Sequence, residues 1–195
     1  MTGAGQDLLD RLRLIRSANI GPITYFQLIR RFGTPRAALD AIPPLAAKGG
    51  GKAPRLAEMA DIVREVDAVE KLGARYLFLG QGLYPPLLAE IDTAPPALIV
   101  RGDLALLDRP AVAVVGARNS SAAAVRFARE LGRGLAEAGV AVVSGLARGI
   151  DTAAHQGALE NGTIGVIASG IDIAYPPENA ALQEDVATKG LLIAE

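Results

Sequence analysis

Two arginines, Arg118 and Arg148, stand in loops of the same kind. Gly116-Ala117-Arg118-Asn119-Ser120 follows the apolar run Ala111 to Val115, and Ser144-Gly145-Leu146-Ala147-Arg148-Gly149-Ile150-Asp151 follows the run Val140 to Val143. A guanidinium grips phosphate with two parallel hydrogen bonds. Loops at the carboxyl ends of parallel strands add main-chain N–H groups and helix N-termini aimed at the same ligand. The chemistry indicated is anion binding, with Gly116, Arg118, Asn119, Ser120, Ser144, Gly145 and Arg148 as candidate contacts. The competing use of the two arginines is an internal pair with a carboxylate such as Asp151 or Glu178.

Catalysis has thinner support. His155 is the only histidine and lies four residues after Asp151, so the two share a helix face and are placed for a local ion pair. Ser144, Asp151 and His155 are the residue types of a triad, but the histidine falls a helical turn away from its loop and nothing marks Ser144 as an activated nucleophile. Asp151 follows a glycine-rich loop at a helix start, where a carboxylate is expected to cap free N–H groups. Asp172 and Glu178 read as turn and helix-start residues rather than an acid/base pair. With one histidine and no cysteine there is no ligand set for a transition metal. No catalytic residue, metal or cofactor is expected.

Nucleotide cofactors are disfavoured by the loops themselves. A dinucleotide fingerprint needs G-x-G-x-x-G after the first strand and an acid closing the second; here only Gly116 of the glycines is present and Ser144 stands where the acid belongs. A phosphate-binding loop of the Walker A type is also missing, since Gly51-Lys52 is followed by Ala53 and Ala46 replaces the leading glycine.

The elements that must position these residues follow from periodicity. Leu8, Leu12 and Ile15 mark one amphipathic helix, and Ile23, Phe26, Ile29 and Phe32 a second that ends at Gly33. Ser17-Ala18-Asn19-Ile20-Gly21-Pro22 joins them as a tight helical hairpin, with Asn19 tolerant of the left-handed conformation. Thr34-Pro35 starts a third helix, residues 48–54 form a flexible link, and Leu56, Met59, Val63, Val66 and Val69 trace a fourth, stopped by Gly73. Tyr76 to Leu79 and Ala97 to Val100 read as strands. Beyond Arg109-Pro110, strands at Ala111–Val115, Val140–Val143, Ile164–Ala168 and Leu191–Ala194 alternate with helices. The first of these helices is marked by Ala124, Ala128, Leu131, Leu135 and Ala138, the second runs from Asp151 to about Glu160, and the third follows Pro177. The fold class is α/β: a parallel Rossmann-like sheet with helices on both faces, preceded by a small all-helical domain, with domains expected at 1–72 and 73–195.

Composition agrees. At 195 residues and half apolar, the chain can bury a sizeable core. No apolar run reaches the roughly 18 residues that span a bilayer, and the first residues lack the pattern of a signal peptide; the absence of cysteine suits a reducing compartment, so a cytoplasmic location is expected. The net charge of −1 argues against a generally basic nucleic-acid binder. The distribution is uneven, however: six arginines fall between residues 11 and 36 with no Asp or Glu among them.

Val114-Val115-Gly116-Ala117-Arg118, Val142 to His155, Gly170-Ile171-Asp172 and Tyr175-Pro176-Pro177-Glu178-Asn179 resemble the DNA-processing protein A family, also called Smf. The likeness covers about residues 80–195, including Leu83 to Leu88 and Pro96 to Gly102, and extends more loosely to the helical part, which resembles a SAM-like or helix-hairpin-helix domain. The resemblance implies a single-stranded DNA binder without catalytic turnover, acting as a homodimer, that protects incoming strands in natural transformation and helps load the RecA recombinase. The matching contact positions are Gly116, Arg118, Ser144, Gly145 and Arg148. Ala117 departs from the serine or threonine usual there, and the family's later segment rich in Arg and Asn has no counterpart before Glu195, so the domain is expected to continue beyond it. Few aromatics stand near the pocket, so base stacking is expected to be weak or to come from that later segment. A nucleoside monophosphate hydrolase of the lysine-decarboxylase-like class is the alternative, although its Pro-Gly-Gly-x-Gly-Thr loop is missing. A third is an interaction module built on the basic helices.

Overall fold

The computed structural model describes residues 3–48 and 54–195, so the glycine-rich stretch of the link expected between Lys48 and Pro54 lies outside the described residues. By its internal contacts the chain divides into two compact units. One holds the residues up to Lys71 with Phe78–Gly80 and Pro86–Ala97; the other holds Leu72–Leu77, Gln81–Pro85 and Leu98–Glu195.

The first unit is built on α1 (Gly3–Ile15), α2 (Pro22–Phe32), α3 (Pro35–Lys48) and α4 (Met59–Lys71), with the short α5 (Pro86–Ala89). Pro22 starts α2 where an N–H has no intrahelical partner, and Gly33 ends it with φ +81°, its N–H reaching the Ile29 carbonyl. Asn19 takes φ +62° in the hairpin. Leu14, Ile20, Tyr25, Ala38, Leu39 and Ile42 form the core. Leu56 packs against that core from outside α4, contrary to the periodic expectation. The segment before Met59 is held out of the helix because Arg55 accepts the Ala18 N–H on its carbonyl and Ala57 donates its N–H to Ser17 Oγ.

Three of the six arginines of the basic stretch meet carboxylates outside it, and a fourth meets a backbone carbonyl. Arg11 bonds Asp7 at 2.6 Å, Arg13 donates to the Ala57 carbonyl at 2.9 Å, Arg16 forks onto Glu65, and Arg36 meets Asp40 at 3.2 Å. The hairpin amides of Ala18 and Ile20 are also taken, by Arg55 and Ser17 carbonyls, so this turn is a joint within its unit.

The second unit carries β2 (Ala97–Gly102), β3 (Ala111–Ala113), β4 (Ala141–Ser144), β5 (Thr163–Ile167) and β6 (Leu191–Ala194) in a six-stranded sheet of order β1-β2-β6-β5-β4-β3, β1 being Arg75–Phe78. The ladders from β3 through β6 are parallel, but β2 lies antiparallel to β6. The sheet is therefore mixed, mostly parallel rather than wholly so. β2 and β6 are not joined by a βαβ crossover, the unit that makes neighbours parallel. β3, β4, β5 and β6 step across the sheet in one direction, with α6 (Ala122–Glu137), α7 (Ile150–Ala158) and α8 (Ala180–Lys189) between them. Right-handed crossovers that never reverse place their helices over the same face. Val114 and Val142 pack beneath Ala136, Ala154 and Ala158 on that face.

The inner stripe of α6 also differs from the one that apolar size suggests. Ala128, Gly132 and Ala136 are buried, while Leu131 is 40% exposed and Phe127 66% exposed. The helices approach so closely that a Cβ on Gly132 would lie 2.5 Å from the Ala154 carbonyl oxygen, and one on Gly157 would lie 2.1 Å from that of Arg129. Only the smallest side chains fit that contact, which turns the larger ones outward.

Candidate functional site

The two arginine loops lock onto each other through glycine. A Cβ on Gly116 would sit 2.6 Å from Ile150 Cγ1, and one on Gly149, at φ +76°, would sit 2.3 Å from the Ala117 carbonyl oxygen. No other residue type permits these approaches, of Gly116 to the Ile150 side chain and of Gly149 to main chain. Leu146 turns the second loop with φ +55° and is itself buried, its side chain packed onto Gly165. A left-handed leucine is strained, and burial of its side chain offsets the cost. Asn179 Nδ2 donates to the Leu146 carbonyl at 2.8 Å and to Thr152 Oγ1 at 2.9 Å, and Thr152 Oγ1 donates to the Ala147 carbonyl at 2.7 Å. The turn that carries Arg148 is thus fastened on both sides.

Between the loops lies a cavity of about 580 Å³. Arg118, Asn119, Gly145 and Arg148 line it, four of the seven residues singled out from the sequence. Gly116, Ser120 and Ser144 do not. Gly116 is taken up by the contact with Ile150. Ser120 Oγ donates to the Ala117 carbonyl at 2.6 Å, and Ser144, buried, donates to the Val114 carbonyl at 2.6 Å. The Gly145 N–H, expected to be open to a ligand, donates to Asp151 Oδ2 at 3.1 Å, leaving this residue as an unhindered patch of wall rather than a donor.

The arginines fare differently. Arg148 Nε meets Glu178 Oε1, but the side chains are 63% and 52% exposed, so water screens the pair and its strength is small. Arg118 makes no hydrogen bond or ion pair among the described residues. The far wall comes from residues that the sequence did not single out as contacts: Ile167, Ala168 and Ser169 at the end of β5, then Tyr175 and Pro176. Tyr175, 71% exposed, is the one aromatic among the residues that line the cavity, in keeping with the expectation of few. Its sequence signal was its membership of the Tyr175-Pro176-Pro177 motif.

Asp151 does not cap its own helix. Gly149 is the cap residue, and Asp151, one position inside the first turn, points its carboxylate back to Gly145. His155 is wholly buried; its Nδ1 lies 2.7 Å from Thr163 Oγ1, which donates in turn to the Val142 carbonyl at 3.2 Å, and its Nε2 has no hydrogen-bond partner among the described residues. Burial pushes its pKa down to about 4, against the opposing pulls of the Asp151 carboxylate and the Ser144 backbone. Ser144 Oγ is turned to Val114, so the three triad residue types are not connected as one. Among the described residues no group of three His, Cys, Asp or Glu side chains is placed to hold a metal ion, and no helix is long and apolar enough to cross a membrane.

Known proteins share both units. The chain is 46% identical over 114 residues to the DNA processing protein DprA of Streptococcus pneumoniae, covering 57% of this chain and 40% of that protein. It is 33% identical over 135 residues to DprA of Bacillus subtilis, covering 68% of this chain and 46% of the relative. The chain thus spans less than half the length of these relatives. The X-ray structure of the pneumococcal protein superposes with a TM-score of 0.64 at 32% identity, covering 83% of this chain and 51% of that one. A structure of DNA processing protein A from Helicobacter pylori, described for its single-stranded DNA binding mode, gives a TM-score of 0.56 at 31% identity over 62% of this chain and 55% of that one. A DprA-like N-terminal HHH domain matches residues 5–68 and the DNA recombination-mediator protein A model matches residues 75–195. With the greater part of its length inside that second match, the chain belongs to the DNA recombination-mediator protein A family.

Proposed function

We propose that this chain binds single-stranded DNA at the cavity between the two arginine loops, with Arg118 and Arg148 on successive backbone phosphates and Asn119 beside them. The observation that carries the reading is that one guanidinium without an internal partner and one held only by an exposed carboxylate open on a single cavity. The relative from H. pylori, described by its single-stranded DNA binding, supports the ligand class. The role is binding without turnover, in the cytoplasm and as a homodimer. There the bound strand is protected during natural transformation and handed to RecA.

Arginine–phosphate contacts release counterions, so affinity must fall with salt. Fluorescence anisotropy of a labelled oligo-dT tests this. Two phosphate contacts give a slope of log affinity against log salt of about −1.4, and each Arg→Ala change removes about 0.7 of it. Equal binding by wild type and the Arg118→Ala/Arg148→Ala variant would remove the cavity from the account. For the handover, full RecA loading onto protected strands by the double variant would separate it from this site.

A further inference from the structure

We infer that the outer face of α6 docks a second copy of this chain, the two helices lying antiparallel about a two-fold axis at the level of Leu131 and Gly132, which deepens the homodimer reading by naming its surface. Opposite the inner stripe of Ala128, Gly132 and Ala136, the helix carries a second apolar stripe. Ala123, Phe127, Leu131, Gly134 and the cap residue Ala138 are all exposed. At about 100° per residue these five positions fall within an arc of about 80°. A helix needs one apolar stripe to reach its core. The second faces water, with Phe127 66% exposed.

Along the flank of this outer stripe run Arg126, Glu130, Arg133 and Glu137, exposed and alternating in sign. Spacings of three and four residues set each beside the next on the helix, yet none of the four makes an ion pair among the described residues. In an antiparallel two-fold pair each flank of a helix meets the same flank of its partner. Read backwards, plus, minus, plus, minus becomes its own complement. Arg126 then faces the partner's Glu137, and Glu130 faces the partner's Arg133. The same register sets the Phe127 ring midway between the partner's Gly134 and the partner's Ala138, and a Cβ on Gly134 has nothing within 4 Å, so the ring meets open space. A face that complements its own reversal in both charge and shape fits a second copy. One helix pair lies at the small, transient end of interface sizes, so dimers are expected at about 100 µM rather than at nanomolar concentration.

Sedimentation velocity over a concentration series tests the surface, with thermal melts of each variant as the control for folding. Wild type should show a monomer–dimer equilibrium, and Phe127→Lys should weaken it by about tenfold or more. Arg133→Glu sets like charges opposite each other at two symmetric points and should also cost about tenfold. Glu130→Arg/Arg133→Glu reverses both members of each pair together and should restore wild-type association. If wild type stays monomeric throughout the series, the homodimer reading of this chain falls and the inference with it. If a dimer forms but Phe127→Lys leaves it intact, or Val112→Lys on β3 dissolves it instead, the homodimer stands and the α6 surface is overturned. A double variant that associates no better than Arg133→Glu would overturn the antiparallel pairing.

Discussion

His155 lies wholly inside, and acid acts on the fold through its affinity for a proton. The ring's folded pKa of about 4 lies below the ordinary 6.5 because burial disfavours the imidazolium. Between those values the unfolded chain binds a proton that the folded chain refuses, so stability rises with pH there. The contribution is fully present above about 6.5 and is lost as pH falls toward 4, at no more than about 1.4 kcal/mol per unit. Urea midpoints at pH 7 and pH 5 should therefore differ more in wild type than in His155→Gln, which keeps a polar group near Thr163 but has nothing to titrate. At the cavity, Glu178 holds the Arg148 guanidinium that the proposed phosphate contact would use. Glu178→Gln should tighten oligo-dT binding by up to about fivefold at low salt, the range of an exposed ion pair, and the gain should fade in high salt as charges are screened. Anisotropy at two salt concentrations checks both. Sequence reading singled out Arg118 and Arg148, which line one cavity, because charged side chains on glycine-bearing strand-end loops have few structural uses. It did not foresee that Ser144 and Gly145 bond the Val114 carbonyl and the Asp151 carboxylate, because those partners depend on strand register and helix phase.

The elements that bring the arginines together depend on contacts without side chains. Gly149→Ala forces a Cβ into the Ala117 carbonyl at a positive φ, so it should destabilise the domain by about 2–4 kcal/mol and weaken DNA binding with it. Helices α6 and α7 offer a cleaner pair. Alanine is worth about 1 kcal/mol over glycine inside a helix, and at Gly134, with nothing within 4 Å of a new Cβ, Gly134→Ala should deliver that gain. At Gly157 the same change meets the Arg129 carbonyl oxygen, so Gly157→Ala should lose about 2 kcal/mol or more despite its better propensity. Thermal melts of the two variants test opposite signs for one chemical change. Periodicity located α6 correctly but chose Leu131 for its inner face, since a hydrophobic pattern ranks residues by apolar size and a close helix contact ranks them by smallness.

At the scale of the whole sheet, β3 pairs with β4 alone among the described residues, and Val112, Val115 and Phe127 are 43%, 72% and 66% exposed. Unpaired edge strands with apolar neighbours invite association. This chain should self-associate with rising concentration in sedimentation velocity, and Phe127→Lys should reduce that without changing the proposed DNA binding at Arg118. Taken alone, the amino-acid sequence determined the succession of helices and strands, the hairpin at Asn19, and the two loops that end β3 and β4. These follow from local spacing and from residues such as Gly33 and Pro22 whose backbone preferences hold in any surroundings. Only the tertiary structure decided that β2 runs antiparallel to β6, that Asp151 serves Gly145 instead of its own helix, and that Tyr175 closes the cavity. Each depends on residues far apart in the chain meeting in one register, and local spacing carries no information about which distant partner arrives.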